Sequence, residues 1–512
     1  MKSFIVFALL APVALISMAA DGKEFFHPLD PARPFEVMVH RGEMHQAPEN
    51  TKSALARLIE DGFEWAEVDV QLTKDGQHVL FHDSSLDGKS NGTGTVSDHT
   101  LEELKKIDLG SWFAERYAGE HILTLAECLS YCKGKLNLYL DCKNVDPELL
   151  VSEIVDAGME DQVVVYDNDL DLIKKTQELS KGAVAVMTKW RAEMGDLGKW
   201  VEKVHPDAVE IDADEISPDV VSSFHKLEVK VEVKALGDWD IPEWWDKAFA
   251  AGVDYFQTDL PEEIVARATW KAYPQRPTQF SLHRGALRYA PENTFPAFEK
   301  ALKLGADYIE FDIRPSSDRT YFLLHDRNLG RTTGQSGPID EHTAKEIESF
   351  DAGAWFGKPF VGTPVPKFED FLNTFSGKVN FYCDAKDIPP EVLAKYLKDH
   401  DMITRSAVYQ GVDYIAQLNK IDPAIRGMAP LGSIDQIDEI LEKIKPYAFD
   451  TAWESLSPEL IAKAHKNGVK VFSDAMGNDT VEEHMKAISW GIDLIQTNRP
   501  MNFIRAVDLL SR

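Results

Sequence analysis

The amino-acid sequence predicts an α/β protein built from two tandem (β/α)8 barrels of the TIM type. Three observations lead to this fold class. Short β-rich runs alternate with helical patterns, the segment HRGEMHQAPENT at His40 returns as HRGALRYAPENT at His283, and each resulting unit has the size of one domain. A doubly wound open sheet is the alternative that the same alternation allows.

Nine runs of the first unit have strand character: EVMVH, EWAEVDV, HVLFHD, LNLYLDC, QVVVYD, AVAVMT, DAVEID, KVEVKA and DYFQTD. Helical patterns occupy intervals between them, in NTKSALARLIEDG, PELLVSEIVDAG and DLDLIKKTQELS. A barrel of this type has only eight strand positions, which is one fewer than the number of runs. The turn TKDG offers a solution, because it can join the second and third runs as a hairpin.

The repeat extends well beyond the two quoted segments. The second copy starts 243 residues after the first, and the same offset relates FHD, ending at Asp83, to LHD, ending at Asp326, and GSWF to GAWF. Such long units indicate duplication of a whole domain rather than solenoid repeats. The polar, proline-bearing segment TWKAYPQRPTQF predicts a boundary near Arg276, with the two domains at residues 21–275 and 276–512.

The N-terminal segment MKSFIVFALLAPVALISMAA has one Lys, an apolar run from Phe4 to Met18, and small residues at Ser17 and Ala19. This pattern is typical of a cleaved signal peptide, so we expect residues 1–20 to be removed and the protein to be secreted or periplasmic. The run is short for a bilayer span and is not repeated, so no stable membrane insertion is expected. An uncleaved anchor is the alternative.

Composition argues against several classes of protein. Asp and Glu number 85 against 55 Lys and Arg, and the resulting formal charge of −30 would repel the phosphate backbone, so nucleic acid is not expected as a partner. An anionic substrate would need a bound cation or an Arg in its site. The four cysteines predict neither a disulfide framework nor a zinc site, since Cys128 and Cys132 lie four apart in a helical pattern.

Polar residues lie at the ends of the candidate strands. A period of two places Glu67 and Asp69 on one face of a strand, and Asp141 and Lys143 on one face of another. In a barrel these faces point inward, and the carboxyl ends of the strands surround the mouth where barrel enzymes keep their active sites. Two further strands end in His40-Arg41 and in His82-Asp83.

These residue types suit the chemistry of phosphate esters. Carboxylates bind hard cations such as Ca²⁺ or Mg²⁺, Arg offers a bidentate fork to phosphate, and His transfers protons near neutral pH. Each residue alone has a plainer explanation: a structural His, a solvated Glu-x-Asp edge, a Lys143–Asp141 ion pair, or Asn50 or Thr51 as a helix cap. The whole polar set recurs in the second unit, however, and polar groups in a barrel mouth are costly unless they bind something.

The ordered set HRG, PENT, ExD, TKDG, HD, a later acidic-x-Lys strand, and the closing GVDYFQTDLP resembles the glycerophosphodiester phosphodiesterase family. The resemblance runs through both halves of the chain. It implies a barrel fold and metal-dependent hydrolysis of small-molecule glycerophosphodiesters to glycerol 3-phosphate and an alcohol. The cation implied is Ca²⁺ or Mg²⁺.

The resemblance also implies roles for individual residues. In the first domain these are His40 and His82 as the acid/base pair, Arg41 as a phosphate contact, Glu67, Asp69 and Asp141 as metal ligands, and Lys143 as a stabiliser of phosphoryl charge. In the second domain they are His283 and His325, Arg284, the ligands Glu310, Asp312 and Asp384, and Lys386. Glu49 and Glu292 belong to the signature, either near the metal or orienting the Arg.

The two copies depart from the family pattern in different places. The third metal ligand, usually Glu, is Asp in both copies, and Gly88 stands where the second domain has Arg331. The closing segment reads TDLP in the first domain and TNRP in the second. Two other functions therefore stay open: a secreted protein that binds phosphodiesters with one or both sites inactive, and a related phospholipase acting on larger lipids.

Overall fold

The structure is a computed structural model that describes residues 23–276 and 278–512. The predicted signal peptide, residues 1–20, lies outside the described residues. Within them, none of the helices has both the length and the apolar character that crossing a bilayer requires.

In the described part of the chain, the first sheet contains β1 (Glu36–Val39), β2 (Trp65–Leu72), β3 (His78–Leu80), β4 (Asn137–Asn144), β5 (Val163–Tyr166), β6 (Ala185–Lys189), β7 (Ala208–Asp212), β8 (Lys230–Lys234) and β9 (Tyr255–Thr258). Its α-helices are α1 (Lys52–Asp61), α2 (Leu101–Leu104), α3 (Leu125–Cys132), α4 (Pro147–Ala157), α5 (Leu170–Ser180), α6 (Leu197–Val204), α7 (Pro218–His225), α8 (Pro242–Ala251) and α9 (Pro261–Ala272).

The second sheet contains β10 (Gln279–Leu282), β11 (Tyr308–Pro315), β12 (Tyr321–Leu323), β13 (Asn380–Asp384), β14 (Ser406–Tyr409), β15 (Arg426–Leu431), β16 (Ala448–Ala452), β17 (Lys470–Asp474) and β18 (Leu494–Thr497). Its α-helices are α10 (Phe295–Lys303), α11 (Gly330–Thr333), α12 (Ala344–Ile347), α13 (Phe368–Phe375), α14 (Pro390–Asp399), α15 (Val412–Ile421), α16 (Gln436–Lys443), α17 (Pro458–Lys466), α18 (Val481–Ser489) and α19 (Pro500–Ser511).

Both sheets close on themselves as parallel barrels. Strand β1 pairs in parallel with β9 on one side and β2 on the other, and β10 does the same with β18 and β11. Strands β3 and β12 pair antiparallel with β2 and β11 only, so they lie outside the ring of eight. The prediction of two (β/α)8 barrels is confirmed, the hairpin at TKDG accounts for the ninth run, and the open sheet is excluded.

Local sequence explains why the helices start and stop where they do. Thr51 caps α1 by accepting a hydrogen bond from the backbone N–H of Ala54, and Gly62 ends the helix in a left-handed conformation with φ of 67°. Leu55 and Leu58 are buried on the face that packs against the sheet. The helix therefore starts directly after the PENT segment and holds that segment against the barrel mouth.

Large side chains fill the interior of the first barrel from its amino-terminal end up to the level of Asp141. Met38, Trp65, Tyr139, Tyr166 and Tyr255 belong to one buried cluster. Such close packing leaves no pore through the barrel. The charged residues that follow on the same inward faces are therefore held at the carboxyl-terminal mouth.

The two barrels share an interface that contains buried ion pairs. Arg288 of the second barrel binds Asp61 at the end of α1, with Nε 2.6 Å from Oδ1, and both side chains are largely buried. Lys300 of α10 binds Glu262 and Glu263 of α9. The duplicated signature segment thus contributes to the interface as well as to the site.

The GSWF and GAWF segments also meet at this interface. The backbone N–H of Lys358 donates to the carbonyl of Phe113 at 2.7 Å, and the Lys358 ammonium lies 5.2 Å from the Trp112 ring centroid. The Arg116 guanidinium lies 4.4 Å from the Phe356 ring centroid. These segments act in packing, and the packing joins one barrel to the other.

Candidate active site

Three carboxylates meet at the mouth of the first barrel. Asp69 of β2 is in register with Asp141 of β4, and Glu67 lies two residues earlier on the same inward face. Ligand oxygens of the three residues all lie within 4.8 Å of one another, and Glu67 and Asp69 are fully buried. Three oxygen donors at this spacing match the ligand set of a hard divalent cation.

The electrostatics of this group favour a bound cation. Burial, followed by the neighbouring charges of Asp69 and Asp141, raises the pKa of Glu67 well above its ordinary value. Oδ1 of Asp69 is buried and accepts no hydrogen bond. A buried carboxylate oxygen with no hydrogen bond, among crowded like charges that one Lys offsets only in part, is an arrangement that a bound cation would relieve, so the residues fit a divalent metal.

Lys143 supplies the one cation that touches this group among the described residues. Its Nζ lies 2.5 Å from Oδ2 of Asp141 and 3.2 Å from Oδ1 of Asp69. Burial opposes the ammonium charge, but the two carboxylates outweigh burial and raise the pKa of Lys143 to about 12. Lys143 therefore stays charged at neutral pH and offsets only part of the negative charge.

The His-Arg-Gly turn after β1 is shaped to reach the carboxylates. Arg41 and Gly42 both have positive φ, 53° and 70°, and the backbone N–H of Arg41 donates to Oε2 of Glu67 at 2.6 Å. A Cβ at Gly42 would lie 3.0 Å from Cβ of Ala54 in α1, so Gly is required where the turn passes the helix.

Asn50 holds Asp69 in place. Its amide nitrogen donates to Oδ2 of Asp69 at 2.8 Å, and its Oδ1 accepts from the Asp69 backbone N–H at 3.0 Å. Asn50 has φ of 57°, a left-handed conformation that Asn tolerates better than most residues. The sequence leaves Asn50 or Thr51 as the helix cap; Thr51 has that role, and Asn50 positions a carboxylate.

The two predicted catalytic histidines of the first barrel each have a carboxylate partner at Nδ1. Nδ1 of His40 lies 2.8 Å from Oδ1 of Asp259, and Nδ1 of His82 lies 2.7 Å from Oδ1 of Asp83. Nη2 of Arg41 lies 2.8 Å from Nε2 of His82, so the guanidinium and the imidazole share one side of the mouth. A carboxylate at Nδ1 leaves Nε2 as the nitrogen available for proton transfer.

Glu49 lies beside the Arg. Its two oxygens are 3.4 Å from Nη1 of Arg41, and Nζ of Lys89 lies 2.9 Å from Oε1 of Glu49 and 3.0 Å from Oδ2 of Asp83. Glu49, His82 and Asp83 are also close enough to hold a metal. The Lys89 ammonium that bridges two of them makes an ion-pair network the better description.

The second barrel repeats this site. Glu310, Asp312 and Asp384 have ligand oxygens within 4.8 Å of one another, and burial followed by the other two carboxylates raises the pKa of Glu310 well above its ordinary value. Nζ of Lys386 lies 2.6 Å from Oδ2 of Asp384, and Asn293 donates to Asp312 at 2.8 Å. The carboxylates and the Lys predicted for the second barrel thus meet as their counterparts do in the first.

Arg331 in the second barrel bridges two carboxylates, as Lys89 does in the first. Nη1 of Arg331 lies 2.6 Å from Oε2 of Glu292, and Nε lies 2.6 Å from Oδ2 of Asp326. The constant offset pairs Arg331 with Gly88, so the sequence alone predicts the loss of this cation. A shift of one residue restores it, because Lys89 bridges the equivalent Glu49 and Asp83.

The closing segments give the histidines after β1 and β10 different partners. Nδ1 of His283 lies 2.9 Å from Oδ1 of Asn498, an amide where the first barrel has Asp259. Nε of Arg284 lies 3.1 Å from Nε2 of the same ring. Burial and then Arg284 lower the pKa of His283 to about 4.

Opposite the carboxylates, the two mouths carry different charges. In the first barrel Lys189 lies 3.1 Å from Glu210, and Lys234 lies 3.7 Å from the same residue. Strand register places Asp450 and Asp474 of the second barrel at the levels of Glu210 and Lys234. The sequence alone did not identify these residues, because no motif contains them.

Comparison with known proteins connects this geometry to a family. The model of the glycerophosphoryl diester phosphodiesterase family matches residues 40–263 and 283–410. A glycerophosphodiester phosphodiesterase of Caldanaerobacter subterraneus is 33% identical over 241 residues, which are 45% of this chain and 96% of that protein. One from Bacillus subtilis is 29% identical over 243 residues, 43% of this chain and 82% of that protein. The crystal structure of one from Agrobacterium tumefaciens has 30% sequence identity and a TM-score of 0.41, covering 44% of this chain and 99% of that one.

Proposed function

The chain belongs to the glycerophosphoryl diester phosphodiesterase family and is a phosphodiesterase, and from this premise we propose that it hydrolyses glycerophosphodiesters to sn-glycerol 3-phosphate and an alcohol. The observation that carries the proposal is the meeting of two histidines, one Arg and three carboxylates at a barrel mouth, twice in one chain. Capture of a phosphodiester needs the Arg and a cation, but it has little use for an acid/base pair.

In the proposed reaction the Arg binds the phosphate. Arg41 contacts Glu49 and His82, so its guanidinium already lies between the ion-pair network and the acid/base side of the mouth. When substrate enters, Arg41 exchanges the His82 nitrogen for phosphate oxygens, which it can bind in a bidentate manner. The exchange frees Nε2 of His82 for proton transfer.

The two histidines divide the proton transfers. One accepts the proton of the attacking hydroxyl, and the other protonates the leaving alkoxide. The attacking group is either water or the glycerol hydroxyl of the substrate itself. In the first barrel Asp259 and Asp83 hold the Nδ1 sides of His40 and His82, so both rings are oriented for transfer at Nε2.

We propose Ca²⁺ or Mg²⁺ at Glu67, Asp69 and Asp141, and again at Glu310, Asp312 and Asp384. When bound, such a cation neutralises negative charge on the phosphoryl group. Lys143 and Lys386 add a permanent positive charge beside each site. The third ligand would be Asp in both barrels, a side chain shorter by one methylene than the usual Glu.

We also propose that the protein acts outside the cytoplasm, as a secreted or periplasmic enzyme. The support for this is the apolar N-terminal segment followed by small residues, the pattern of a cleaved signal. Determining the N-terminal residue of protein recovered from the periplasm or culture medium tests it, and an intact Met1 there would contradict it.

The reaction is tested by cation-dependent release of glycerol 3-phosphate from glycerophosphocholine and glycerophosphoethanolamine. The purified protein is compared with His82→Ala, His325→Ala and the double variant, and removing an acid/base group is expected to cost roughly 10²- to 10⁴-fold in the affected barrel. His121→Ala is a control that changes an exposed His outside the predicted site residues, whose Nδ1 lies 3.2 Å from the carbonyl oxygen of Ile107.

Loss of release in one single variant assigns turnover to that barrel, and loss only in the double variant assigns it to both. Full activity in the double variant would contradict the acid/base assignment. Binding of the diesters without release under any tested cation would replace hydrolysis with capture.

A further inference from the structure

One asymmetry between the barrels lies in the residue that holds the first His of each site. Asp259 follows β9 and binds Nδ1 of His40, whereas Asn498 follows β18 and binds Nδ1 of His283. Both contacts are of normal hydrogen-bond length, 2.8 and 2.9 Å. The two sites therefore keep the same ring orientation with partners of different charge.

Geometry alone gives both rings the same tautomer. A carboxylate and an amide oxygen each accept from an Nδ1–H, which leaves Nε2 as the proton-transfer nitrogen in both barrels. Both partners accept a hydrogen bond from the ring, but only the carboxylate adds a full negative charge, so it stabilises more strongly the imidazolium that exists before transfer by an acid or after transfer to a base. The asymmetry thus affects the charged state of the His rather than its position.

The groups around each pair agree with this distinction. Burial alone would raise the pKa of Asp259, but His40, His45 and Arg41 of the same barrel hold this pKa below its ordinary value. Asp259 therefore stays ionised beside His40. Its backbone N–H donates to Asp240 at 2.8 Å, which fixes the segment.

Around His283 the balance is reversed. Arg284 presents Nε to Nε2 of the ring at 3.1 Å, a contact that a neutral imidazole accepts and an imidazolium cannot. Asp312 and Glu292 act in the opposite direction through space, but Asn498 contributes no charge. The contact of Arg284 with the ring itself fits an imidazole held in its neutral form.

We propose that Asp259 is a positioning residue that stabilises the protonated form of His40, and that the first barrel therefore carries most of the turnover of the chain near neutral pH. This inference rests on the proposed hydrolysis, because it assigns unequal shares of that reaction to two sites with the same catalytic side chains.

Reciprocal exchange of the two partners tests the inference in the full chain. Asp259→Asn is made in a His325→Ala background, where only the first barrel can turn over, and Asn498→Asp is made in a His82→Ala background. Each substitution installs the residue that the other barrel already carries at that place, so both are compatible with the fold. Asp259→Glu tests rescue by a carboxylate, and Asp246→Asn removes a carboxylate of the same barrel that pairs with Arg267 instead.

In the first-barrel background, Asp259→Asn is expected to lower kcat/KM at pH 7 about tenfold or more, and to move one limb of the pH profile down by roughly 1–2 units. Movement of the acid limb identifies His40 as the base, and movement of the alkaline limb identifies it as the acid. Asn498→Asp is expected to raise kcat/KM of the second barrel and move the same limb upward. Asp246→Asn should leave the profile unchanged.

A second readout does not depend on activity. NMR titration of the His40 ring is expected to show a lower pKa in Asp259→Asn than in its parent, and the His283 ring a higher pKa in Asn498→Asp. Release by both parents without any change of rate or limb on exchange overturns the inference and leaves the proposed function intact. If neither parent releases glycerol 3-phosphate, the proposed function fails, and the assignment of turnover to the first barrel fails with it. If the titrations of His40 and His283 are also unshifted in the exchange variants, the role of Asp259 fails as well.

Discussion

Replacing Arg288 by Met should break a buried ion pair between the barrels. Arg288 binds Asp61 through Nε at 2.6 Å, and the side chains are only 12% and 5% exposed. Burial already raises the pKa of Asp61, while Arg288 opposes that rise. Removing one partner of such a pair costs about 3–5 kcal/mol, because the remaining charge is left buried. Tyr289 still donates to Asp61 at 3.2 Å, so we expect the lower end, about 3 kcal/mol.

The assay is urea unfolding followed by tryptophan fluorescence at pH 7.5 and pH 4.5. Without Arg288, the pKa of Asp61 in the folded protein rises further above its value in the unfolded chain. The loss of folding free energy therefore grows as pH rises between these two pKa values. The loss should therefore be larger at pH 7.5 than at pH 4.5.

Two controls separate this account from a general effect of losing a surface Arg. Arg267→Met breaks a pair whose side chains are 34% and 31% exposed, and should cost about 0.5 kcal/mol. The double variant Arg288→Met/Asp61→Leu removes both charges and should recover most of the loss. A cost below about 1 kcal/mol for Arg288→Met, or no recovery in the double variant, would refute the reasoning.

Three further outcomes are expected. Glu67→Gln removes one ligand oxygen of the first site, so titration calorimetry should count one strongly bound Ca²⁺ or Mg²⁺ fewer than in the wild type; an unchanged count contradicts the site. Gly353→Ala would place a Cβ 2.0 Å from the carbonyl oxygen of Phe360, so the backbone must move, and thermal unfolding should show a loss of about 1–3 kcal/mol. Arg331 and then His325 lower the pKa of Asp326 to about 2. These contacts stabilise the folded protein above the pKa that Asp326 has in the unfolded chain, and that stabilisation is lost as pH falls towards 2. Arg331→Met should therefore destabilise the protein most near pH 7 and hardly at pH 2; a pH-independent loss would contradict this.

Much of the fold follows from the sequence because its signals are local. All nine strand runs of the first unit are strands, since β-branched and aromatic residues bounded by turn signals fix them without reference to the rest of the chain. The site followed for a different reason. In a barrel, the period of two and the strand ends determine where inward-facing residues meet, so the sequence alone predicts that Glu67, Asp69 and Asp141 lie together.

What the sequence missed depends on contacts that no local pattern encodes. A constant offset aligns Arg331 with Gly88, although a neighbouring Lys89 reaches the same two carboxylates from a different backbone position. The hydrogen bond from Asn50 to Asp69 joins residues 19 apart in sequence. The sequence alone does not show it, because an Asn just before a helix is also typical of a helix cap. The interface contact of Lys358 with Phe113 joins segments of different barrels, which a comparison of the two copies treats as equivalents rather than as partners.

The pattern of differences between the copies bears on how a duplicated enzyme diverges. Side chains assigned to touch the substrate or the cation are the same residue type in both barrels, whereas the groups that support them differ in charge or in position, as Asp259 differs from Asn498 and Lys89 from Arg331. Exchange of Asp for Asn leaves the length of the contact at Nδ1 nearly unchanged, at 2.8–2.9 Å, but it alters the free energy of the charged His. A change in the residues that hold the catalytic His, rather than in the residues assigned to the substrate or the cation, therefore allows two sites that perform the same reaction to have different pH optima. The buried ion pairs at the interface favour keeping both barrels in one chain, because separation would expose apolar surface and break pairs such as Arg288–Asp61.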